Sequence, residues 1–169
     1  MLYKVFNGPM PTTAKIAAVT TGTAIKTMQQ VKPGATQVLR VVEWGLAFDG
    51  SALATPIYAD LIETDVAATV TAAVANDITK FDATALLAGD PTTNIFSVGV
   101  SATGYTATAE GAIAAVRVGD VQQILPTNQW AFQFQPMSRF VIQAGKFGRI
   151  RVHAAAAVNA ITWMLLSTE

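Results

Sequence analysis

The sequence predicts an all-β fold, a β-sandwich or jelly-roll-like domain with long surface loops, and two observations predict it. In residues 129–169, short apolar segments alternate with Gly, Pro and Ser, with about ten residues from one strand to the next, as in sandwiches and barrels. Residues 130–135 alternate strictly, so Trp130, Phe132 and Phe134 share one face of a strand. This alternation is typical of half-buried strands, and we expect the aromatic face to lie on the core.

The first part of the chain contains several candidate strands. Residues 38–48 are almost continuously apolar, which predicts a central strand covered on both faces and closed by the turn at Asp49 and Gly50. An extended segment, residues 1–15, contains a short strand that ends in a turn before Pro9. The candidate strands of this part are 1–9, 16–20, 25–31, 38–48 and 56–62.

The middle of the chain is harder to assign. Residues 66–75 carry valines at a helical spacing, but β-branched threonines lie between them, and a strand or extended arm is favoured. Residues 76–94 are polar and predict a long surface loop with a possible helical turn at 83–88, and residues 101–111 predict a second loop. The remaining candidate strands are 113–118, 121–125, 140–142, 149–153 and 161–165.

Length and composition indicate one domain that associates with neighbours. The chain has 169 residues, no cysteine and a formal net charge of zero, so we expect no disulfide and no nucleic-acid partner. Hydrophobic residues make up 51% of the chain, and 30 residues are alanine. We interpret this as a chain that buries surface against other copies or proteins, and an alanine-rich monomer is the alternative. The apolar stretch 154–166 is too short to cross a membrane as a helix.

We find no pattern that predicts catalysis, a cofactor or a metal site. The only histidine, His153, lies in a predicted strand, and no Gly-x-Ser-x-Gly motif accompanies it. Asp60, Glu63 and Asp65 are close in sequence but lack the spacing of a calcium loop. We therefore expect no catalytic residue, no cofactor and no bound metal.

A hydrolase that uses one of two carboxylates is a third hypothesis for the function. Glu43 lies beside Trp44 in a predicted buried strand, and Asp60 lies in the next one. We expect Glu43 to be a structural carboxylate paired with Arg40 or Arg117, because a buried charge requires a partner. A hydrolase that uses Glu43 or Asp60 predicts turnover that a single carboxylate substitution abolishes.

Several charged or aromatic residues are candidates for an interface. Arg149 and Arg151 share a face of a predicted strand, and arginine is suited to carboxylates at interfaces. A solvated strand face is the alternative interpretation. The candidate interface residues are Arg139, Arg149, Arg151, Asp77, Asp82 and Tyr105.

Four segments of the chain resemble head decoration or cement proteins of tailed phages that infect actinobacteria. They are 41–50 (VVEWGLAFDG), 56–61 (PIYADL), 104–111 (GYTATAEG) and 150–166, which begins IRVHA. The resemblance covers about two-thirds of the chain and includes no catalytic motif. It implies a β-sandwich or jelly-roll-like fold, many copies per capsid and homotrimers on the outer shell.

The resemblance and the composition lead to the same expectation. We expect a non-enzymatic virion protein that is made in the host cytoplasm and clamps neighbouring major capsid subunits on the outer surface. Its partners are the major capsid protein and its own copies, and neither nucleic acid nor a membrane is expected. The alternative is a carbohydrate-binding β-sandwich that attaches to a cell surface and stacks sugars on Trp130, Trp163 or Tyr105.

Overall fold

The chain folds into two antiparallel sheets that pack face to face around one apolar core. A computed structural model describes residues 1–49, 55–81 and 92–168. The strands, in chain order, are Leu2–Phe6 (β1), Val19–Thr20 (β2), Lys26–Val31 (β3), Leu39–Phe48 (β4), Ile57–Thr64 (β5), Thr69–Ala72 (β6), Ile78–Lys80 (β7), Gly104–Ala109 (β8), Val116–Ile124 (β9), Trp130–Gln133 (β10), Phe140–Ile142 (β11), Phe147–His153 (β12) and Asn159–Ser167 (β13). The predicted β-sandwich is confirmed.

The order of the strands defines two sides of the sandwich. The first sheet runs β10-β4-β13-β1-β7, with β11 also on β4 and β2 on β13. The second sheet runs β6-β8-β3-β12-β5-β9. A hydrogen bond from Trp44 in β4 to Asp120 in β9 shows that β9 and β10 lie on the same side. The N-terminal segment, β6 and β8 form the other side.

The predicted central strand is confirmed, and a bulge explains its unbroken apolar run. β4 pairs with β13 on one edge and with β10 and β11 on the other. The register with β13 shifts by one residue, because Leu166 pairs with Val41 and Leu165 with Glu43. The extra residue lets Val41 and Val42 both lie buried, although neighbouring strand residues normally point to opposite faces.

The N-terminal strand is an inner strand of the first sheet. β1 pairs with β13 along its whole length and with β7 on its other edge. Tyr3 and Val5 are 0% and 1% exposed. The extended segment predicted at 1–15 therefore begins inside the fold, and only the residues after Phe6 leave the sheet.

Three assignments made from the sequence are corrected. The second predicted loop, 101–111, contains β8, which pairs with β3 and β6. The long loop predicted at 76–94 begins as β7, after a 3-10 turn at Ala75–Asp77, and the helical turn predicted at 83–88 lies outside the described residues. The strands predicted at 113–118 and 121–125 are one strand, β9, with a register shift beside Gly119.

Gly119 is required by the packing of the two sheets. A Cβ atom at this position would lie 2.8 Å from the ring of Phe140, much closer than side-chain contacts allow. Phe140 belongs to β11, so the bulge of β9 brings the two sheets into contact on this side. The ambiguous segment 66–75 contains β6, and its interpretation as a strand is confirmed.

Candidate interaction surfaces

The groove side is formed by residues 7–19 together with β6, β7 and β8. Residues 7–17, Val19, Tyr105 and Thr106 line an open groove of about 310 Å³. The carboxylate of Asp77 accepts hydrogen bonds from the main-chain N–H groups of Met10 at 3.1 Å and Val74 at 2.9 Å. Asp77 is 5% exposed. Its charge therefore anchors the N-terminal segment and is not presented to solvent.

Tyr105 forms part of the wall of this groove. It lies in β8 opposite Gln29 and Thr71. Burial raises the pKa of Tyr105, and the nearby negative charge of Asp77 raises it further. The neighbouring Thr106 has a φ of 55°, which is uncommon for a β-branched residue.

The rim of the groove side is apolar. Val74 and Val100 are 59% and 60% exposed. The carbonyl of Val100 accepts the N–H of Val70 at 2.9 Å, which fixes it beside β6. The fold thus brings two predicted interface residues, Asp77 and Tyr105, together beside the N-terminal segment. Another candidate, Asp82, lies outside the described residues.

Arg149 is buried, contrary to its expected place on a docking surface. It has 0% exposure. Its guanidinium donates to the carbonyls of Glu110, at 3.0 Å, and Val66, and it forms an ion pair with the Glu110 carboxylate at 3.5 Å. That carboxylate also accepts the N–H and the hydroxyl of Thr27, each at 2.5 Å. Arg149 therefore holds the segments that contain Val66 and Glu110 against the outer face of β12.

The charge of Arg149 is strongly affected by its surroundings. Burial lowers the pKa of Arg149 to about 10, against the opposing attraction of Glu110. It remains cationic at neutral pH, so removal of Glu110 would leave a buried charge with carbonyl partners only.

Arg151 is also engaged inside the chain. It forms a bidentate ion pair with Asp60, with N–O distances of 3.0 and 2.6 Å. This hydrogen bonding raises the pKa of Arg151, and burial followed by the charge of Asp60 raises the pKa of Tyr58. His153, at the end of β12, is exposed. Arg151 and Arg149 do share a strand face, but neither guanidinium is left for a partner.

Arg139 lies apart from these two arginines. It follows the 3-10 turn Pro136–Ser138 and is half-buried just before β11. Its Nε atom is buried without a hydrogen-bond partner. The three arginines therefore do not form one docking surface.

The predicted partner of Glu43 was wrong. The carboxylate of Glu43 accepts a hydrogen bond from Nε1 of Trp163 at 2.8 Å, and the indole lies across Gly45. A Cβ atom at Gly45 would be 2.4 Å from the Trp163 ring, so glycine makes room for the tryptophan. Lys4 lies 5.5 Å from the centre of the same ring. Trp163 is 7% exposed, which leaves little of its ring for a sugar.

No group of three metal-binding side chains occurs among the residues that the structure describes. Within the same ranges, no helix has the length and apolar character needed to span a membrane. Both carboxylates of the hydrolase hypothesis, Glu43 and Asp60, are held by internal contacts.

The strip side is formed by residues 116–137, which include β9 and β10. Six of its large apolar side chains are exposed, and their exposed fractions are Val116 54%, Val118 55%, Val121 43%, Leu125 43%, Phe132 42% and Met137 100%. The alternation of Val116 and Val118 is visible in the sequence, but an apolar alternation is normally a sign of burial.

The aromatic row of β10 lies partly in solvent. Trp130 contacts the buried Trp44, with ring centres 4.6 Å apart. Phe132 stacks on Trp130 with an interplanar angle of 6°, and Phe134 packs edge-on against Phe132. The row therefore faces the core as expected at Trp130 and Phe134, but the middle of the row is exposed because β10 is an edge strand.

The charged groups of the strip side are paired within the chain. Arg117 forms an ion pair with Glu63 at 3.0 Å and donates to the carbonyl of Val141. Asp120 accepts the indole N–H of Trp44 at 3.1 Å. These two are the only charged residues between 116 and 137.

The chain was also compared with known proteins. No protein family model, no curated protein and no solved structure matches it.

Proposed function

We propose that this chain is a structural virion protein that binds the outer capsid surface and clamps neighbouring major capsid subunits. It acts by mass action, because a protein that binds only the assembled shell stabilises that shell. The proposal includes self-association, with a homotrimer as the assembly. Its place is the virion, and its partners are the major capsid protein and other copies of itself.

The groove side carries this proposal. An apolar groove with polar groups along it is the usual form of a site that receives a chain segment. Here the groove is bounded by the N-terminal segment and Tyr105, and the exposed Val74 and Val100 lie on the same side of the sandwich, bonded to Asp77 and to β6. Buried bonds to Asp77 hold the wall in place, so little ordering is needed when a partner binds.

The sequence adds the second support. The four segments that resemble actinobacteriophage decoration proteins include β4, β5, β8 and β13. These are strands of the framework, so the resemblance concerns the scaffold more than the docking surface. The low share of charged residues, 13%, also suits a protein that buries surface in a large assembly.

Rebinding to capsids tests the proposal. Virions of the phage that carries this sequence should contain the chain in many copies by mass spectrometry. Shells stripped of the chain should rebind the purified protein, and Val100→Glu should weaken rebinding about tenfold or more, because a charge would be buried at the interface. Val38→Glu is the matched control, since Val38 is 39% exposed and precedes β4, away from the groove.

Two results would contradict the proposal. One is the absence of the chain from purified virions. The other is equal rebinding of the wild-type protein, Val100→Glu and Val74→Glu, which would exclude the groove side as the capsid contact.

One observation favours the alternative of a carbohydrate-binding module. Phe132 is 42% exposed and lies parallel to Trp130, and such ring faces stack on sugars. Titration calorimetry with soluble cell-wall glycans tests it. Binding that disappears in Phe132→Ala but persists in Leu125→Ala would support it, and absence of heat with the wild-type protein would contradict it.

A further inference from the structure

We infer that the strip side, residues 116–137, is the surface through which a second copy of this chain binds. The inference rests on the self-association included in the proposed function, and it names the surface and the occupant. The surface lies on the side of the sandwich opposite the groove, so it leaves the groove side open for another partner.

Exposed apolar side chains are concentrated on this surface. Six of the thirteen large apolar side chains that are exposed in the described part of the chain lie between Val116 and Met137. Exposed apolar patches mark protein–protein interaction sites, and Val116, Val118 and Val121 share one face of β9, opposite residues 64, 62 and 60 of β5. In a lone molecule these side chains would stay in water.

The charges indicate a neutral partner. Arg117 is paired with Glu63, and Asp120 with the indole of Trp44. Because residues 116–137 contain one cation and one anion, their net charge is zero, and the strip has no excess charge to select an acidic or a basic protein. Another copy of the chain has a net charge of zero and presents the same strip, so no like charges oppose its approach.

The polar groups of the strip are complementary to themselves. Four exposed glutamines lie in the same part of the chain, namely Gln123, Gln129, Gln133 and Gln135. A glutamine amide is both donor and acceptor, so a glutamine can bond to a glutamine of another copy. A row of lysines or glutamates would repel its own copy.

The edge strand supplies main-chain groups for association. β9 has nine residues and is the last strand of its sheet among the described residues, which gives an edge of about 30 Å. Natural edge strands are commonly protected by lysine, proline or a bulge. β9 contains no lysine and no proline and relies on the bulge at Gly119.

Light scattering after gel filtration tests the inference on the intact chain. The wild-type protein should have a mass of at least twice 17.7 kDa. Val118→Glu and Met137→Lys should each shift the mass toward 17.7 kDa, with the dissociation constant raised about tenfold or more. Met137 is fully exposed, so its replacement cannot act through loss of packing in the folded chain.

Val100→Glu is the matched control. Val100 is 60% exposed and is bonded to the strand at the far end of the same sheet, about 24 Å from β9 at the normal spacing of strands. Its mass should equal that of the wild-type protein. Circular dichroism should show the same strand content in all variants.

Two outcomes would overturn the inference. A wild-type chain that remains at 17.7 kDa at the highest soluble concentration would overturn it, whatever the result with capsids. An oligomer whose mass neither strip variant lowers would overturn it as well. If the wild-type protein forms an oligomer that both strip variants lose, and yet fails to bind capsids, that result would contradict the proposed function alone.

Discussion

The groove side and the strip side of the sandwich both contain buried polar contacts, but these contacts have opposite consequences for the surface. On the groove side, Asp77 bonds to main-chain groups of segments that cover the sheet. On the strip side, Arg117 and Asp120 bond to Glu63 and Trp44. The first arrangement holds an additional segment over the core, whereas the second holds the two charged side chains of an exposed apolar surface in contacts within the chain.

This difference gives one neutral chain two surfaces of distinct character. The groove side has a built cavity, and its walls are fixed by hydrogen bonds to carboxylate and main chain. The strip side is an edge of both sheets and exposes large apolar side chains. A cavity fits an inserted segment, and a flat edge fits another strand.

The largest expected effect is on the groove side. Deletion of residues 1–11 should abolish folding, because it removes β1 from between β13 and β7 together with the buried Tyr3 and Val5. Far-UV circular dichroism and urea titration measure this. Pro9→Ala, at an exposed position of the same segment, should stay folded. Cooperative unfolding of the truncated chain would show that β1 is dispensable.

A smaller effect is expected when only the carboxylate of Asp77 is removed. Asp77→Ala should lower the free energy of unfolding by about 2 kcal/mol, because two main-chain donors lose a charged acceptor. Urea unfolding followed by tryptophan emission gives the value. Asp49→Ala, at an exposed carboxylate, should change it by less than about 0.5 kcal/mol. Equal free energies of unfolding for the two variants would mean that the hydrogen bonds of Asp77 do not stabilise the groove.

The corresponding substitution on the strip side, Asp120→Ala, should lower the free energy of unfolding by slightly less. Asp120→Ala leaves the indole N–H of the fully buried Trp44 without its acceptor, at about 1 to 2 kcal/mol. Asp120→Asn retains an acceptor oxygen and should recover most of the loss in the same urea titration. If the alanine variant unfolds like the wild-type protein, Asp120 does not contribute to the packing of the strip side.

The smallest expected effect is a decrease in the stability of the fold at alkaline pH, and it involves Tyr58 and Tyr105. The pKa values of Tyr58 and Tyr105 are raised above 10.0, mainly by burial. The folded state therefore holds these protons more tightly, so its stability is full below pH 10.0 and falls as the pH rises through the folded pKa values. Tyr58→Phe and Tyr105→Phe should each flatten this decline in thermal melts. A decline that neither variant alters would assign it to other groups.

The sequence predicted the strands that carry large apolar side chains and failed where side chains are small. β4 and β5 were assigned correctly because their apolar patterns are strong. β8, GYTATA, has only one large side chain, so it resembles a loop. Its extended form comes from pairing with β3 and β6, and such pairing depends on residues far away in the chain.

The candidate sites show the same limit. The sequence placed Arg149 and Arg151 on one strand face, which is correct. It could not show that Arg149 is covered, because its carbonyl partners are 39 and 83 residues away along the chain. The exposure of Phe132 was also missed, since alternation in sequence does not distinguish an edge strand from an inner one.

The arrangement of the three tryptophans gives the strip side an optical readout in addition to that of the fold. Trp44 and Trp163 are shielded from water, so their fluorescence depends on the integrity of the fold. Trp130 is half-exposed and lies in contact with both Trp44 and Phe132. A ligand or a second molecule that covers the strip would shift the emission of Trp130 to shorter wavelength. The chain thus carries an intrinsic reporter beside the surface in question, and no label is required.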